Sequence, residues 1–558
     1  MEIQPNKIPI YQLRTRPDGK TAVEVDGQEE ILFHRGLDAQ WEQYDGGMLG
    51  EMGLWRDAPQ QRRVRRDGIL GWLGFKKTVV EPPNGKVEPE EVRALWYQGS
   101  EETKGPYRDV PLPPPIEPKA WKALHFKHRF KFQENMELER VDSSIKLQAK
   151  KDTDEIVLDF DVYPNKLFVF DHEDQPLSFQ RNERGLLIQR ALTEGEEFGL
   201  NVSFEGQPTA QSHPSLPTDA GWLTGPDRVV TMNGLDFASS WIPTDNDPSN
   251  KAPYEFQLEV PDNLMAAANG ELVEKQPTED GTAYIFRSEE MAAYLASVNV
   301  FDKEKYTTTK VGDNFEVIHP KGAEERVRKS FARHEEMMGL LSEKLGPYPF
   351  STYSAIVTDL PADKERLRFT DGERVFEKQK KYPLAFEAQT RSIFEESGIY
   401  GEEAEDTIFH ELSHQWFGNS VTKKTPKDIW VAEGVGRYSG RLWAEHKGEG
   451  ERVEQSLKAL HAQLKQHKFT DTMACPDDDK LISHENYGRM ELSMHALRKE
   501  VGDEQFFASL KHVAQEYKGK SLSSEEMAEV INQYNGGQLS DFFQAWLHSK
   551  EIPDIKFD

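Results

Sequence analysis

The stretch that decides the reading is DTIFHELSHQWFGNS (406–420), which holds His410, Glu411 and His414 in the spacing His-Glu-x-x-His. On a helix, residues four apart lie on one face a turn above each other. Two imidazoles so placed can chelate one zinc ion, and Glu411 sits beside that face within reach of a water on the metal. In a chain of 558 residues with 16 histidines, such a string arises by chance in roughly one chain in twenty. The next segment, PKDIWVAEGVGRYSG (426–440), starts with the helix-entry residues Pro426 and Asp428 and places Glu433 after 18 intervening residues from His414. A helix–turn–helix of that length brings a carboxylate back to the histidine face. Two histidines and one carboxylate leave zinc's fourth position open for water, which is a catalytic rather than a structural arrangement.

Upstream of the motif, AEERVRKSFARHEEMMGLLSEKLG (323–346) has apolar residues at Val327, Phe331, Met338, Leu341 and Leu345. That spacing predicts one amphipathic helix ended by Gly346-Pro347. YSAIVTDL (353–360) reads as a strand, and QLSDFFQAWL (538–547) as one of the helices running to the end. Residues 305–558 are therefore expected to form an α+β unit with a small sheet and a helical lobe. Residues 119–304 read mostly as strand, with DEIVLDFDVY (154–163), KLFVFD (166–171) and GLLIQRAL (185–192), spaced as in a β-sandwich or saddle-shaped sheet. Residues 1–118 are different. They are glycine-rich, carry the basic run QRRVRRDG (61–68) and end in PLPPPIEP (111–118), a stiff linker or wrapping strand. The basic run suits binding an anion or, more readily, pairing with the chain's own acidic surface.

A chain this long calls for several domains. Its 37% hydrophobic and 10% aromatic content is enough for sizeable cores. Acidic side chains number 97 against 69 basic ones, a formal charge of −28. Such a surface repels nucleic-acid phosphates and anionic lipid, so neither is an expected partner. The single cysteine, Cys475, rules out an intrachain disulfide and a thiolate-rich metal site. MEIQPNKIPIYQL at the start lacks a run of signal-peptide length, and nowhere are there about 18 consecutive apolar residues. A cytoplasmic protein is the expectation.

HELSHQWFGNSVT followed by WVAEGVGRY resembles the zinc aminopeptidase family that includes aminopeptidase N and leukotriene A hydrolase. Similar segments extend outward. FASSWIPTDNDPSNKAPYEFQLEVPDNLMAAANGELVE (237–274) and EMAAYLASVNVFDKEKY (290–306) look like the family's β domain. NYGRMELSMHALRKEVGDEQFF (486–507) and DFFQAWLHSKEIPDIKF (541–557) look like its catalytic module. The likeness runs from about residue 122 to 558 and leaves the first 120 residues uncovered. It implies a multidomain α+β protein in which a β saddle or sandwich precedes a thermolysin-like α/β zinc domain. It also implies metal ligands His410, His414 and Glu433, with Glu411 as general base, in an enzyme releasing N-terminal residues from peptides.

Further roles rest on the resemblance alone. YPLAFEAQTRSIF (382–394) matches the family's strand motif, so Glu387 aligns with the glutamate that binds the substrate's amine. The main chain from Leu384 through Ala385 and Phe386 pairs with substrate as an added strand. Leu384 stands where glycine is usual, and Gly234 where a second acidic anchor is expected, with Asp236 two residues away. Tyr487 matches the family's oxyanion-binding tyrosine, but Met490 and Glu491 replace a Gly-Ala pair. Larger family members continue into further domains, so a more open cleft is expected here unless residues 1–118 cover it. Two other classes stay open on the residues: a zinc endopeptidase or epoxide hydrolase, and a non-catalytic peptide-binding scaffold.

Overall fold

Strands Trp121–Phe132 and Leu138–Ala149 alternate buried with exposed positions, the period of a sheet with one wet face. The computed structural model describes residues 119–182, 185–211, 219–234, 236–360, 365–370, 373–378, 384–399 and 404–557, with four strands nearer the start, Tyr11–Thr15, Thr21–Val25, Gln28–Arg35 and Trp41–Gln43. The runs at 61–68 and 111–118, and with them most of the expected wrapping extension, lie outside the described residues.

The two long strands lie within a seven-stranded sheet ordered 271–277, 281–291, 252–261, 121–132, 138–149, 197–205, 166–171. Its neighbours are antiparallel except for the central pair, 252–261 with 121–132, where Tyr254 faces Phe126. Aromatic rings fill the space beneath it: Phe126 stacks on Tyr254 at 4.7 Å, and Phe130 lies 6.0 Å from Trp241. A second sheet carries 153–158, 185–192 and 179–182, and the four N-terminal strands continue it through the pairing of Tyr11 with Phe179. A third, five-stranded sheet is ordered 210–211, 220–224, 228–232, 298–302, 264–268.

From Tyr306 the chain builds a mixed five-stranded sheet, ordered 306–311, 315–320, 354–358, 391–395, 385–386. Its three middle strands are parallel, and Ala385–Phe386 is a short antiparallel edge. Around it lie helices α1 (Glu324–Ser330), α2 (His334–Leu345), α3 (Ala404–Ser413), α4 (Trp430–His446), α5 (Gly450–Leu464), α6 (His484–Val501), α7 (Asp503–Glu516), α8 (Ser524–Tyr534) and α9 (Ser540–Leu547). A small core containing Val230, Met232, Phe301, Ile356, Phe386 and Ile393 joins this half to the β-rich half. The cleft lies at that junction. The architecture is thus a β-rich region followed by an α/β region with a small mixed sheet and a helical lobe.

The single helix expected over 323–346 is two, α1 and α2, broken at Phe331–Arg333. The turn sets Phe331 edge-on to Phe394 and lays His334 flat on Phe315 with ring centroids 3.8 Å apart. It also shifts the helical phase of α2, so Met337 is fully buried and Met338 only partly. No glycine or proline marks the break, so tertiary packing overrides a continuous period. The expected stop at Gly346 is present, with φ of 99°.

Candidate active site and metal centre

Helix α3 opens with Glu405 and Asp406, acids at its positive end. His410 sits in its last turn, and His414 comes one turn later, its amide reaching the His410 carbonyl at 3.3 Å. The imidazoles stand nearly perpendicular, with their Nε2 atoms 3.1 Å apart. His414 Nδ1 lies 3.0 Å from the Phe417 carbonyl, which can only accept. Nδ1 therefore holds the proton, and the Nε2 lone pair faces His410. Gly418 is required here: its φ is 126°, and a Cβ would come 3.1 Å from His414 Nδ1.

Helix α4 is launched by a capping box in which Thr425 and Asp428 satisfy each other's main chain. Glu433 falls in its first turn. Gly434 lets α4 approach α6, since a Cβ there would meet Met494 at 2.7 Å. The Glu433 carboxylate lies 3.8 Å from His410 Nε2 and 3.7 Å from His414 Nε2. These three side chains form a metal-ligand cluster among the described residues, with ligand atoms all within 4.8 Å of one another.

The donor set fits zinc. Two nitrogens each about 2.0–2.1 Å from a tetrahedral ion are roughly 3.3 Å apart, close to the spacing here. Glu433 Oε2 and Glu411 Oε2 are buried with no hydrogen-bond partner, as oxygens facing a cation and its water are. Burial pushes the His410 pKa well down, with His414 and Arg437 adding to the effect. A neutral ring is the form that binds metal. Burial pushes Glu411 well up, helped by the charges of Glu387 and Glu433. Burial raises Glu433 too, against the attraction of His414. Carboxylates that repel one another in a dry site are stabilised by a divalent cation.

The other expected residues converge on the same cleft, about 600 Å³ in volume. Glu387, Ala385, Phe386, Glu411 and Tyr487 all line it. Among the described residues, Ala385–Phe386 pairs on one side only, with 391–395, and its other edge is available for strand addition. Leu384 packs against the junction core, where a glycine would leave space. Tyr487 lies near the start of α6 with the Arg437 guanidinium 4.7 Å over its ring. Burial raises its phenol well above the usual range, so it stays a donor. The Met490–Glu491 departure has a packing basis. Met490 is fully buried, and Glu491 pairs with Arg441 of α4. Gly234 lines the cleft, but Asp236 does not and instead heads the turn Phe237–Ser240.

Several contributors escaped the sequence reading. Asn419 Nδ2 donates to the Glu387 carbonyl at 2.7 Å, and Gln415 Oε1 accepts from the Thr390 amide at 2.8 Å. The loop after the histidines thus clamps the edge strand. Thr390 has a φ of 63°, a strained value for a β-branched residue, held by these bonds and by that from Gly270 N. Lys423 and Arg437 line the same cleft and are the cations whose charges act on Glu433. Burial brings Lys423 down to about 8. Only position in a motif-like segment, FGNSVTKK, hinted at Asn419 or Lys423.

Fold and site together define a metallopeptidase-type centre: a His-Glu-x-x-His helix, a returning glutamate and an open strand edge. The model of the Peptidase family M1 domain matches residues 387–546. Aminopeptidase M1-B of Oryza sativa subsp. japonica is 22% identical over 345 residues, 59% of this chain and 38% of that one. Leukotriene A-4 hydrolase of Xenopus laevis is 24% identical over 411 residues, 68% of this chain and 62% of that one. The chain therefore spans less than two thirds of the length of these curated relatives. The M1 zinc metallopeptidase of Deinococcus radiodurans superposes with a TM-score of 0.63 at 21% identity, covering 80% of this chain and 98% of that one. Residues 387–546 thus carry the pattern of the Peptidase family M1 domain, and the chain as a whole is similar to aminopeptidases and a leukotriene A-4 hydrolase that carry its like.

Proposed function

We propose that this chain is a zinc-dependent aminopeptidase that releases N-terminal residues from peptides. The observation that carries this reading is one cleft lined by both the ligand set and Glu387. A carboxylate beside the metal on an open strand edge fixes a free ammonium and so fixes how far a peptide enters. When bound by His410, His414 and Glu433, zinc supplies Lewis acidity to the scissile carbonyl and the attacking water. The protein's own groups do the rest. Glu387 holds the amine, and Ala385–Phe386 aligns the substrate backbone. Glu411 takes the water's proton and passes it to the leaving amine. Tyr487 donates to the oxyanion.

The relatives named aminopeptidase and leukotriene hydrolase support this class. The test is a set of aminoacyl fluorogenic substrates, free and N-acetylated, with and without chelator. Free substrates should be cleaved, acetylated ones about a hundredfold more slowly, and chelator should abolish turnover until zinc is returned. Equal cleavage of both forms would favour an endopeptidase, and no cleavage by zinc-loaded protein would favour a scaffold. No helix among the described residues is long and apolar enough to cross a membrane. We infer a cytoplasmic protein without nucleic-acid partners from the single thiol and the charge of −28, to be checked by cell fractionation and by binding to labelled DNA and RNA.

A further inference from the structure

The aminopeptidase reading leaves the cleft's Lys423 without a task. Lys423 lies beyond the histidine loop in the two-residue strand Thr422–Lys423. Its side chain lines the cleft although the residue is only 3% exposed. Its ammonium rests 3.5 Å over the Tyr294 ring, a cation–π contact. Tyr294 is itself fixed, fully buried with its hydroxyl donating to the Gly418 carbonyl at 2.8 Å. Among the described residues, Lys423 Nζ makes no hydrogen bond and has no carboxylate at ion-pair distance; its partners at longer range are Glu387 and Glu433. A lysine serving only to neutralise those acids would close on one of them. This one is held away by the aromatic ring, buried and unspent.

Its surroundings say what it faces. Of its two longer-range partners, Glu387 and Glu433, the first is the residue assigned to the substrate's amine, while Arg437 stands over Tyr487 and acts on Glu411 and Glu433. Gly234, also on the cleft wall, adds no side chain and no second carboxylate there. The amine end of the cleft therefore presents one carboxylate and one ammonium. An N-terminal aspartate or glutamate carries the complementary pair, an ammonium and, two or three carbons away, a carboxylate.

We propose that Lys423 is a specificity-determining residue that selects peptides with an acidic N-terminal residue, its ammonium receiving the side-chain carboxylate while Glu387 receives the amine. This rests on the aminopeptidase reading and adds the substrate class to it. A neutral or basic first residue leaves the buried ammonium unsatisfied or repelled, so discrimination acts in both directions.

The experiment uses the full, zinc-loaded chain and four 7-amido-4-methylcoumarin substrates, of glutamate, aspartate, leucine and arginine. Wild type should prefer the acidic pair over leucine by about ten- to a hundredfold in kcat/KM, with arginine poorest. In Lys423→Met that ratio should collapse to one or below, Lys423→Arg should keep it, and Lys423→Glu should turn the preference towards arginine. Zinc content and thermal midpoint of each variant identify loss of fold, and the ratio is read only within folded proteins. Hydrolysis of leucine with no acidic preference in wild type, or an unchanged ratio in Lys423→Met, overturns the proposal and leaves the aminopeptidase standing. Absence of hydrolysis with all four substrates by wild type overturns the aminopeptidase reading, and this proposal falls with it.

Discussion

The two walls of the cleft are built on different principles. One wall is the pair α3 and α4, with His410, Glu411, His414 and Glu433 inside one stretch of 24 residues. Helix geometry and a capped turn suffice to place them. The other wall is a seam assembled from Gly234, Lys251, Tyr294, Glu387 and the loop Gln415–Lys423, segments separated by up to 189 positions. It holds its shape through single bonds between distant residues: Asn419 to the Glu387 carbonyl, Tyr294 to Gly418, and Asn269 to the Gln389 carbonyl. The groups proposed to break the bond sit in a local frame, whereas those proposed to receive the substrate depend on how two halves of the molecule meet. Damage to the first wall should remove rate, and damage to the second should change what is bound or how well the halves hold together.

The largest effect should come from the helical wall. Glu411→Gln keeps the shape of the side chain and leaves the three ligands intact but removes the proton acceptor. Turnover should fall by about 10²–10⁴-fold with zinc content unchanged by metal analysis. Retained turnover in a zinc-replete variant would move the base elsewhere and break the division between the walls. Loss of zinc in this variant would mean that Glu411 holds the metal site together as well as acting as base.

A smaller effect is expected at Tyr487, which belongs to α6 and bridges the two walls. Tyr487→Phe preserves the ring under Arg437 and deletes only the donor. If the phenol meets the oxyanion, kcat should drop by about 10²–10³-fold, with KM changing little. A rise in KM at constant kcat would instead make the ring part of the substrate-holding seam.

This contrast also explains what was legible in the sequence. The ligand set obeys a fixed spacing on neighbouring helices, so composition and period were enough to nominate it. Tyr487 and Glu387 needed the family likeness, because neither lies near the motif in the chain. Lys423, Gln415 and Asn419 carry no signal of their own. Asn419 matters because its amide meets a carbonyl 32 positions away, and Lys423 because a ring from the β-rich half lies beneath it. The split of 323–346 into α1 and α2 has the same cause: stacking of His334 on Phe315 is a tertiary contact that no local period contains.

The smallest effect, and the sharpest test of the seam, lies at Lys251. Its half-buried side chain donates from the ammonium to the carbonyls of Asn419 and Ser420 and to Thr422 Oγ1, each at 2.9 Å. It thereby ties the β-rich half to the loop that carries His414 and Lys423. Burial pulls its pKa down to about 7, with Glu290 alone among the facing charges holding it up. In the unfolded chain it titrates near 10.4, so between these values the unfolded state binds the extra proton and stability rises with pH. The cost of burying the charge is therefore complete below pH 7 and fades as the pH climbs towards 10. Lys251→Met removes both that cost and the donors that satisfy two buried carbonyls, a loss of about 1–3 kcal/mol. The variant should be clearly less stable than wild type at pH 9.5, and the deficit should narrow as the pH is lowered to 7, measured as the difference between their thermal midpoints. A deficit that stays constant or widens on acidification would mean that Lys251 remains a satisfied ammonium throughout, and that the seam is held by charge rather than by hydrogen bonds alone.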